Sequence, residues 1–251
     1  MDKITLVKVG GAELAEGARL EELIEALVRL ASRGQVVVVH GGGPEIAEWQ
    51  QRLGIEPQFV EGLRVTDAAS LRVAEMVLSG TVNKRLTARL VHAGVKAIGI
   101  SGVDGGLLSA ERLAHPRGDL GYVGEINEVN VPCLTDLLAA GFTPIVSPIS
   151  LGPDGHPLNV NADHAALAIA GALQVTEVIF LTDVPGVLHN GVVLAKLGAQ
   201  EARRLIEAGQ ITGGMIPKVR SALRVIESGV EAVYITNLVG LSAGTGTRVI
   251  A

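Results

Sequence analysis

Short, almost wholly apolar runs alternate along the chain with longer stretches in which apolar residues recur every three to four positions. The first pattern marks strands buried on both faces, and the second marks helices that cover them. Residues 4–9, 35–40, 96–100, 143–149, 177–182 and 232–237 read as strands. Residues 18–32, 45–53, 67–92, 131–140, 165–173 and 199–208 read as helices, and a last helical pattern runs through Val219, Ala222, Leu223, Val225 and Ile226 to Gly229. Asp67 suits an N-cap, and Gly80 is a point where the long pattern after it is expected to break. Between residues 107 and 128 the helical period fades, and glycines with short polar runs suggest β-hairpins on one rim. Residues 244–250 read as a turn and an edge strand. The order is βαβα throughout. It predicts an α/β fold, a three-layer αβα sandwich with a central, mainly parallel sheet.

Composition sharpens this picture. The 251 residues are 48% hydrophobic but only 2% aromatic, so the core must be built from Val, Ile, Leu and Ala. That favours helices on a parallel sheet over an all-β sandwich. The length suits one large domain or two lobes, and neither a linker nor an internal repeat is visible. A net charge of −5, with no basic block, gives nucleic-acid binding no support. The single cysteine, Cys133, rules out an intrachain disulfide or a Cys-based zinc site and reads as a small core filler. No signal-like segment precedes the first strand, and no apolar stretch is long enough to span a bilayer. The expected location is the cytoplasm, with no membrane partner.

The chemically unusual residues fall where strands end or helices begin. Lys8 lies inside an apolar strand just before Gly10 and Gly11. It is either a phosphate-contacting lysine or an edge-strand lysine that reaches solvent. Gly41, Gly42 and Gly43 follow the second strand and form a second anion nest, at the position where open α/β sheets bind ligands. Neither G-x-G-x-x-G nor a P-loop fits there. Arg64, close to Gly62, suits bidentate capture of a carboxylate or phosphate, or is a surface arginine. Asn159, Asn161 and Asp163 crowd the entry to an apolar helix, where they bind a ligand or cap the helix. Asp183 to Val187 forms another turn at a strand end. Lys218 lies in a helix's first turn, against the macrodipole unless an anion sits with it. His40 and His164 lie near these residues and read as polar fillers before catalysts. No nucleophile elbow and no metal-binding spacing is present. Two lysines, glycine amides and an aspartate suit phosphoryl transfer, with a nucleotide that brings Mg²⁺.

Several motifs carry a family resemblance across essentially the whole chain. They are Val7-Lys8-Val9-Gly10-Gly11, His40-Gly41-Gly42-Gly43, Gly62-Leu63-Arg64-Val65-Thr66, Asn159-Val160-Asn161-Ala162-Asp163, Thr182-Asp183-Val184-Pro185-Gly186 and Gly214-Met215-Ile216-Pro217-Lys218. The chain resembles the amino acid kinase superfamily and, within it, the N-acetylglutamate kinases. The resemblance implies transfer of the γ-phosphoryl of ATP to the side-chain carboxylate of N-acetyl-L-glutamate, the second step of arginine biosynthesis. Lys8 and Lys218 would stabilise the transition state, and Asp163 would orient both. Gly10 and Gly11 would lie against the phosphates, with Gly11 and Gly42 donating backbone N–H groups to the phosphoryl oxygens. Gly42, Gly43, Arg64 and Asn159 would hold the amino acid, Arg64 on its α-carboxylate. Asp183, Val184, Pro185, Gly186, Val187 and Leu188, with Gln210, Ile211 and Thr212, would line the nucleotide site. Magnesium would arrive on ATP, with no dedicated protein metal site. A single domain of residues 1–251 is implied, in which a lobe of about 1–172 binds the amino acid and one of about 173–251 binds ATP.

The arginine-inhibited members of that family carry an extra N-terminal helix before the first strand. Here the first strand begins by Ile4, so a homodimer without arginine feedback is expected, paired through the helix after Asp67. Two rival readings share the fold. One is a kinase of carrier-bound α-aminoadipate, which would be expected to show a basic surface. The other is a non-catalytic amino-acid or nucleotide sensor, which need not keep Lys8, Asp163 and Lys218.

Overall fold

The computed structural model describes residues 3–60, 63–116 and 118–251, and for residues 59, 63 and 64 the backbone alone. The chain starts with β1 (Ile4–Val9), a 3-10 turn (Gly11–Leu14), α1 (Ala18–Ala31), β2 (Gln35–His40) and α2 (Gly43–Arg52). The two-residue strands β3 (Phe59–Val60) and β4 (Leu63–Arg64) precede α3 (Ala68–Glu75), a π-helical segment (Met76–Val82) and α4 (Asn83–His92). Next come β5 (Ala97–Ser101), β6 (Leu108–Arg112), β7 (Val123–Val129), α5 (Val131–Ala139), β8 (Thr143–Ser147), β9 (Ile149–Leu151) and β10 (Pro157–Val160). Helix α6 (Ala162–Leu173) and β11 (Glu177–Leu181) lead to the short strands β12 (Leu188–His189), β13 (Val192–Val193) and β14 (Lys196–Gly198). The chain closes with α7 (Ala199–Glu207), α8 (Met215–Glu227), β15 (Ala232–Thr236), α9 (Leu238–Ala243) and β16 (Thr247–Ile250).

The main sheet runs β14-β16-β15-β11-β1-β2-β8-β5. It is parallel except at the β15–β16 pair. Alternate residues of each strand point to opposite layers. Leu6, Val37, Val39 and Val178 pack with α5, α6, α7 and α8, whereas Val7, Val9, Val36, Val38 and Ile179 pack with α1, α2, α3 and α4. The predicted three-layer sandwich is therefore the observed fold.

Four local departures have physical causes. The strand expected over 143–149 breaks at Pro148, which has no N–H to donate to a ladder. The chain leaves the main sheet there, and β9 joins β6, β7 and β10 in a small closed barrel. The rim expected to hold hairpins is thus one side of that barrel, with β6 and β7 antiparallel. The strand read as an edge, residues 247–250, is flanked on both sides, because the unpredicted β14 covers it. Helix α9 was hidden by its length of six residues, although Asn237 caps it by accepting from Gly240 N–H at 2.8 Å. Gly80 does not end its helix; the ladder widens to π there and resumes as α4. Asp67 caps α3 as expected, accepting from Ser70 N–H at 2.7 Å. Cys133 is half-buried against the core.

Asn161 is the N-cap of α6 and accepts from Asp163 N–H at 2.8 Å. Replacing Asn161 by alanine is expected to cost about 1 kcal/mol. For a domain of this size that lowers Tm by about 2–4 °C. Thermal unfolding followed by circular dichroism checks this; an unchanged Tm would show that the cap contributes nothing.

Candidate active site

The carboxyl ends of β1 and β2 and the N-termini of α2 and α6 surround a cavity of about 390 Å³. This is the ligand crevice of an open α/β sheet. Lys8 forms part of its wall. Its strand lies between β11 and β2, so the edge-strand reading fails. The residue is 8% exposed, and Nζ lies 2.8 Å from Asp163 Oδ1. That oxygen is buried and accepts no hydrogen bond of ordinary geometry among the described residues. The Lys8 ammonium is thus what balances it. Asp163 lies in the first turn of α6, where the helix dipole also favours a negative charge.

The two glycine turns touch. A Cβ on Gly11 would lie 2.6 Å from Pro44 Cδ and 3.2 Å from Gly43 N. Gly42 is the N-cap of α2 and supplies no side-chain cap. The first N–H groups of that helix are therefore open to a ligand. Asn159, on β10, also lines the cavity, and its Nδ2 donates to Thr66 Oγ1 at 3.2 Å. Thr66 is fixed in turn: its N–H donates to Leu120 O at 3.0 Å and its O accepts from Tyr122 N–H at 2.7 Å. Gly121 makes this approach possible, at φ +68 with a virtual Cβ 2.3 Å from Thr66 O. The segment that carries Arg64 is thereby anchored beside Asn159. The Arg64 side chain itself lies outside the described residues.

Eight of the predicted residues line one cavity: Lys8, Gly11, Gly41, Gly42, Gly43, Asn159, Asn161 and Asp163. Others are not among its lining. Gly10 is outside that lining, and a Cβ there would meet Glu13 Oε2 at 2.7 Å. Asp183 accepts from Thr182 Oγ1 at 2.9 Å and lines a separate cavity of about 110 Å³ with Glu13 and Asn237. Val187 and Ile211 belong to the hydrophobic core, so they can offer a ligand only backbone. Lys218 lies in the first turn of α8, but its ammonium makes no ion pair or hydrogen bond among the described residues. Among the described residues Asp163 is paired with Lys8 and not with Lys218. Two ammonium groups repel each other, and one carboxylate offsets only part of that.

Sequence reasoning missed three apolar residues of the wall, Leu78, Val123 and Pro148. Apolar residues give no signal to a search for polar chemistry. Leu78 had one indirect marker, the glycine two residues later. The π-helical segment carries Leu78 to the site, where a Cβ on Gly42 would lie 2.7 Å from its Cδ2.

This geometry joins a buried lysine–aspartate pair to two glycine turns at strand ends. Residues 3–237 match the amino acid kinase family. The chain belongs to the amino acid kinase family. Within that family it is 53% identical over 250 residues to the acetylglutamate kinase of Roseiflexus sp. (strain RS-1), covering 99% of this chain and 94% of that protein. It is 45% identical over 252 residues to the acetylglutamate kinase of Methanopyrus kandleri, covering 97% and 99%. The solved structure of smu.665 from Streptococcus mutans UA159 matches it with a TM-score of 0.87 at 30% identity, over 99% of this chain and 98% of that one. The Lys8–Asp163 pair thus links β1 to α6 beside the cavity.

Proposed function

We propose that this chain is an acetylglutamate kinase, which moves the γ-phosphoryl of ATP to the side-chain carboxylate of N-acetyl-L-glutamate. The observation that carries the reading is Lys8 held at 2.8 Å from Asp163 in a cavity rimmed by glycine amides, in a chain about half identical to a named acetylglutamate kinase. A carboxylate oxygen attacks the γ-phosphorus, the bond to the β–γ bridging oxygen breaks, and ADP leaves with that electron pair. An acyl phosphate remains. The acceptor is ionised near neutral pH, so no general base is needed. Catalysis is then alignment and charge neutralisation. Lys8 and the amides of Gly11 and Gly42 meet the transferring group. Asn159 and Arg64 hold the amino acid, while Leu78, Val123 and Pro148 offer an apolar surface to its acetyl methyl.

Residues about 1–172 form the amino-acid lobe and about 173–251 the ATP lobe. Asp183 to Leu188 and Gln210 to Thr212 belong to the nucleotide site in this reading. Lys218 approaches the phosphates once their negative charge lies between it and Lys8. Among the described residues no three His, Cys, Asp or Glu side chains are grouped to hold a metal ion. Mg²⁺ arriving on ATP would neutralise charge on its phosphates.

Among the described residues no helix is long and apolar enough to cross a membrane; a cytoplasmic location is part of the proposal. So is a homodimer paired through the helical run after Asp67, where Met76 and Val91 are exposed. Insensitivity to arginine completes it. The test is ATP-dependent acyl phosphate formation, trapped with hydroxylamine. N-acetylglutamate is expected to turn over, with glutamate, aspartate and carrier-bound aminoadipate far slower. No turnover of N-acetylglutamate would sink the reading, and preference for the carrier-bound substrate would favour the lysine-pathway rival. Arginine in the same assay is expected to change nothing. Sedimentation is expected to give a dimer.

A further inference from the structure

The function proposed above does not use His40, yet His40 is the most constrained polar side chain beside the cavity. It ends β2, is fully buried, and directly precedes the glycine turn. Its Nδ1 lies 2.9 Å from Gly41 O and its Nε2 lies 3.1 Å from Asn83 Nδ2. The two contacts together decide the tautomer. Asn83 is fully buried at the start of α4, and its Nδ2 also faces two carbonyls, Ile145 O at 2.8 Å and Ile100 O at 3.2 Å. Carbonyls only accept, so that atom is the amide nitrogen. Lys84 Nζ, 3.2 Å from Asn83 Oδ1, agrees with the same orientation. Gly41 O can only accept, so Nδ1 carries the ring proton. Asn83 Nδ2 shares two hydrogens among three acceptors, and Nε2, which faces that donor, is the unprotonated nitrogen. Burial, with Lys84 and Arg85 nearby on α4, pushes the imidazole pKa down to about 4. The ring is neutral at working pH, and its one proton sits on Nδ1, where it donates to Gly41 O.

That carbonyl has a particular partner. The Gly41 C=O and the Gly42 N–H belong to one planar peptide unit. The chain has no cis peptide among the described residues, so the two groups point in opposite directions. Gly41 N–H is held as well, donating to Val9 O at 3.0 Å. A peptide clamped through its carbonyl on the buried side presents its N–H to the other side.

We infer that His40 is a positioning residue: with its tautomer set by its two contacts, it turns the Gly41–Gly42 peptide so that the Gly42 N–H points into the cavity. The inference rests on the reading that this N–H meets the transferring phosphoryl group. The π-helical segment contributes by delivering Asn83 at the start of α4, against the ends of β2, β5 and β8.

Two amide substitutions separate the ring's two contacts. In His40→Asn the side-chain nitrogen overlays Nδ1 and still reaches Gly41 O. In His40→Gln the amide overlays Nε2 and keeps the Asn83 contact, leaving Gly41 O without its donor. His40→Gln is expected to lower kcat about tenfold or more, with KM for ATP nearly unchanged. His40→Asn is expected to recover most of that loss. Equal kcat in the two variants, whether high or low, would overturn the inference, because a residue that merely fills space has no reason to distinguish them. The ¹⁵N shifts of the ring in the unaltered protein give an independent reading that needs no variant to fold. They are expected to show a neutral ring protonated at Nδ1 from pH 6 to 8 (about two units above the shifted pKa and beyond); a proton on Nε2 would overturn it. Turnover of N-acetylglutamate by the unaltered enzyme tests the underlying function separately.

Discussion

Lys8→Met is expected to lower kcat by about a hundredfold or more, while KM for ATP changes little. Methionine is unbranched and only one atom shorter, so the main property lost is the charge. In the proposed reaction that charge meets a group whose negative charge is already present and is redistributed as the bond to ADP breaks. A contact that strengthens along the reaction is read in kcat. The same substitution leaves Asp163, whose side chain is 21% exposed, without the ammonium 2.8 Å away. Removing one partner of a largely buried pair destabilises more than removing both. The double variant Lys8→Met/Asp163→Asn is therefore expected to regain part of the lost Tm and none of the lost kcat. If Lys8→Met keeps kcat within threefold of the parent enzyme, Lys8 does not act on the transferring group.

The split between stability and rate follows from where Lys8 lies. A charge on a central strand is a burden that packing alone would remove. The sequence carried that anomaly openly, as a lysine among Ile4, Leu6, Val7 and Val9. Other parts of the site were legible for similar reasons. Glycine turns after apolar strands and polar residues at a helix entry depart from their surroundings, and they reported Gly11, Gly42, Asn159 and Asp163. The strands were legible because burial on both faces leaves a continuous apolar run. What stayed hidden was what depends on long-range pairing. Pro148 shows only that a strand must stop; it does not show that the next residues close a barrel with residues 108–129 and 157–160. Strand β14 has three residues, too few for any period to register. His40 looked like a filler because its role runs through Asn83, which is 43 residues away in the chain. The resemblance to acetylglutamate kinases added roles to these positions. Geometry then separated Asp163, which is paired with Lys8, from Lys218, which it does not touch.

Gly11→Ala tests the contact on which the two glycine turns depend. The added methyl would sit 2.6 Å from Pro44 Cδ, 3.2 Å from Gly43 N and 3.4 Å from Gly42 Cα. None of these is the free end of a flexible side chain. Pro44 is in the first turn of α2, so moving its ring moves the helix start, and with it the amides of Gly42 and Gly43. Overpacking of this kind costs about 1–3 kcal/mol. The larger effect is on rate, since a shift of about 1 Å in a positioning element can cost about a hundredfold. Gly11→Ala is therefore expected to lower Tm by several degrees and kcat by about ten- to a hundredfold. Gly43→Ala is the matched control. A Cβ there meets nothing within 4 Å, and its backbone is already in α2. It is expected to leave Tm unchanged and to act only through the cavity it borders, raising KM for the amino acid more than it lowers kcat. Thermal unfolding and steady-state kinetics on both variants decide the matter. If Gly11→Ala unfolds at the parent temperature with full kcat, the turns are free to part, and their contact does not hold the site together.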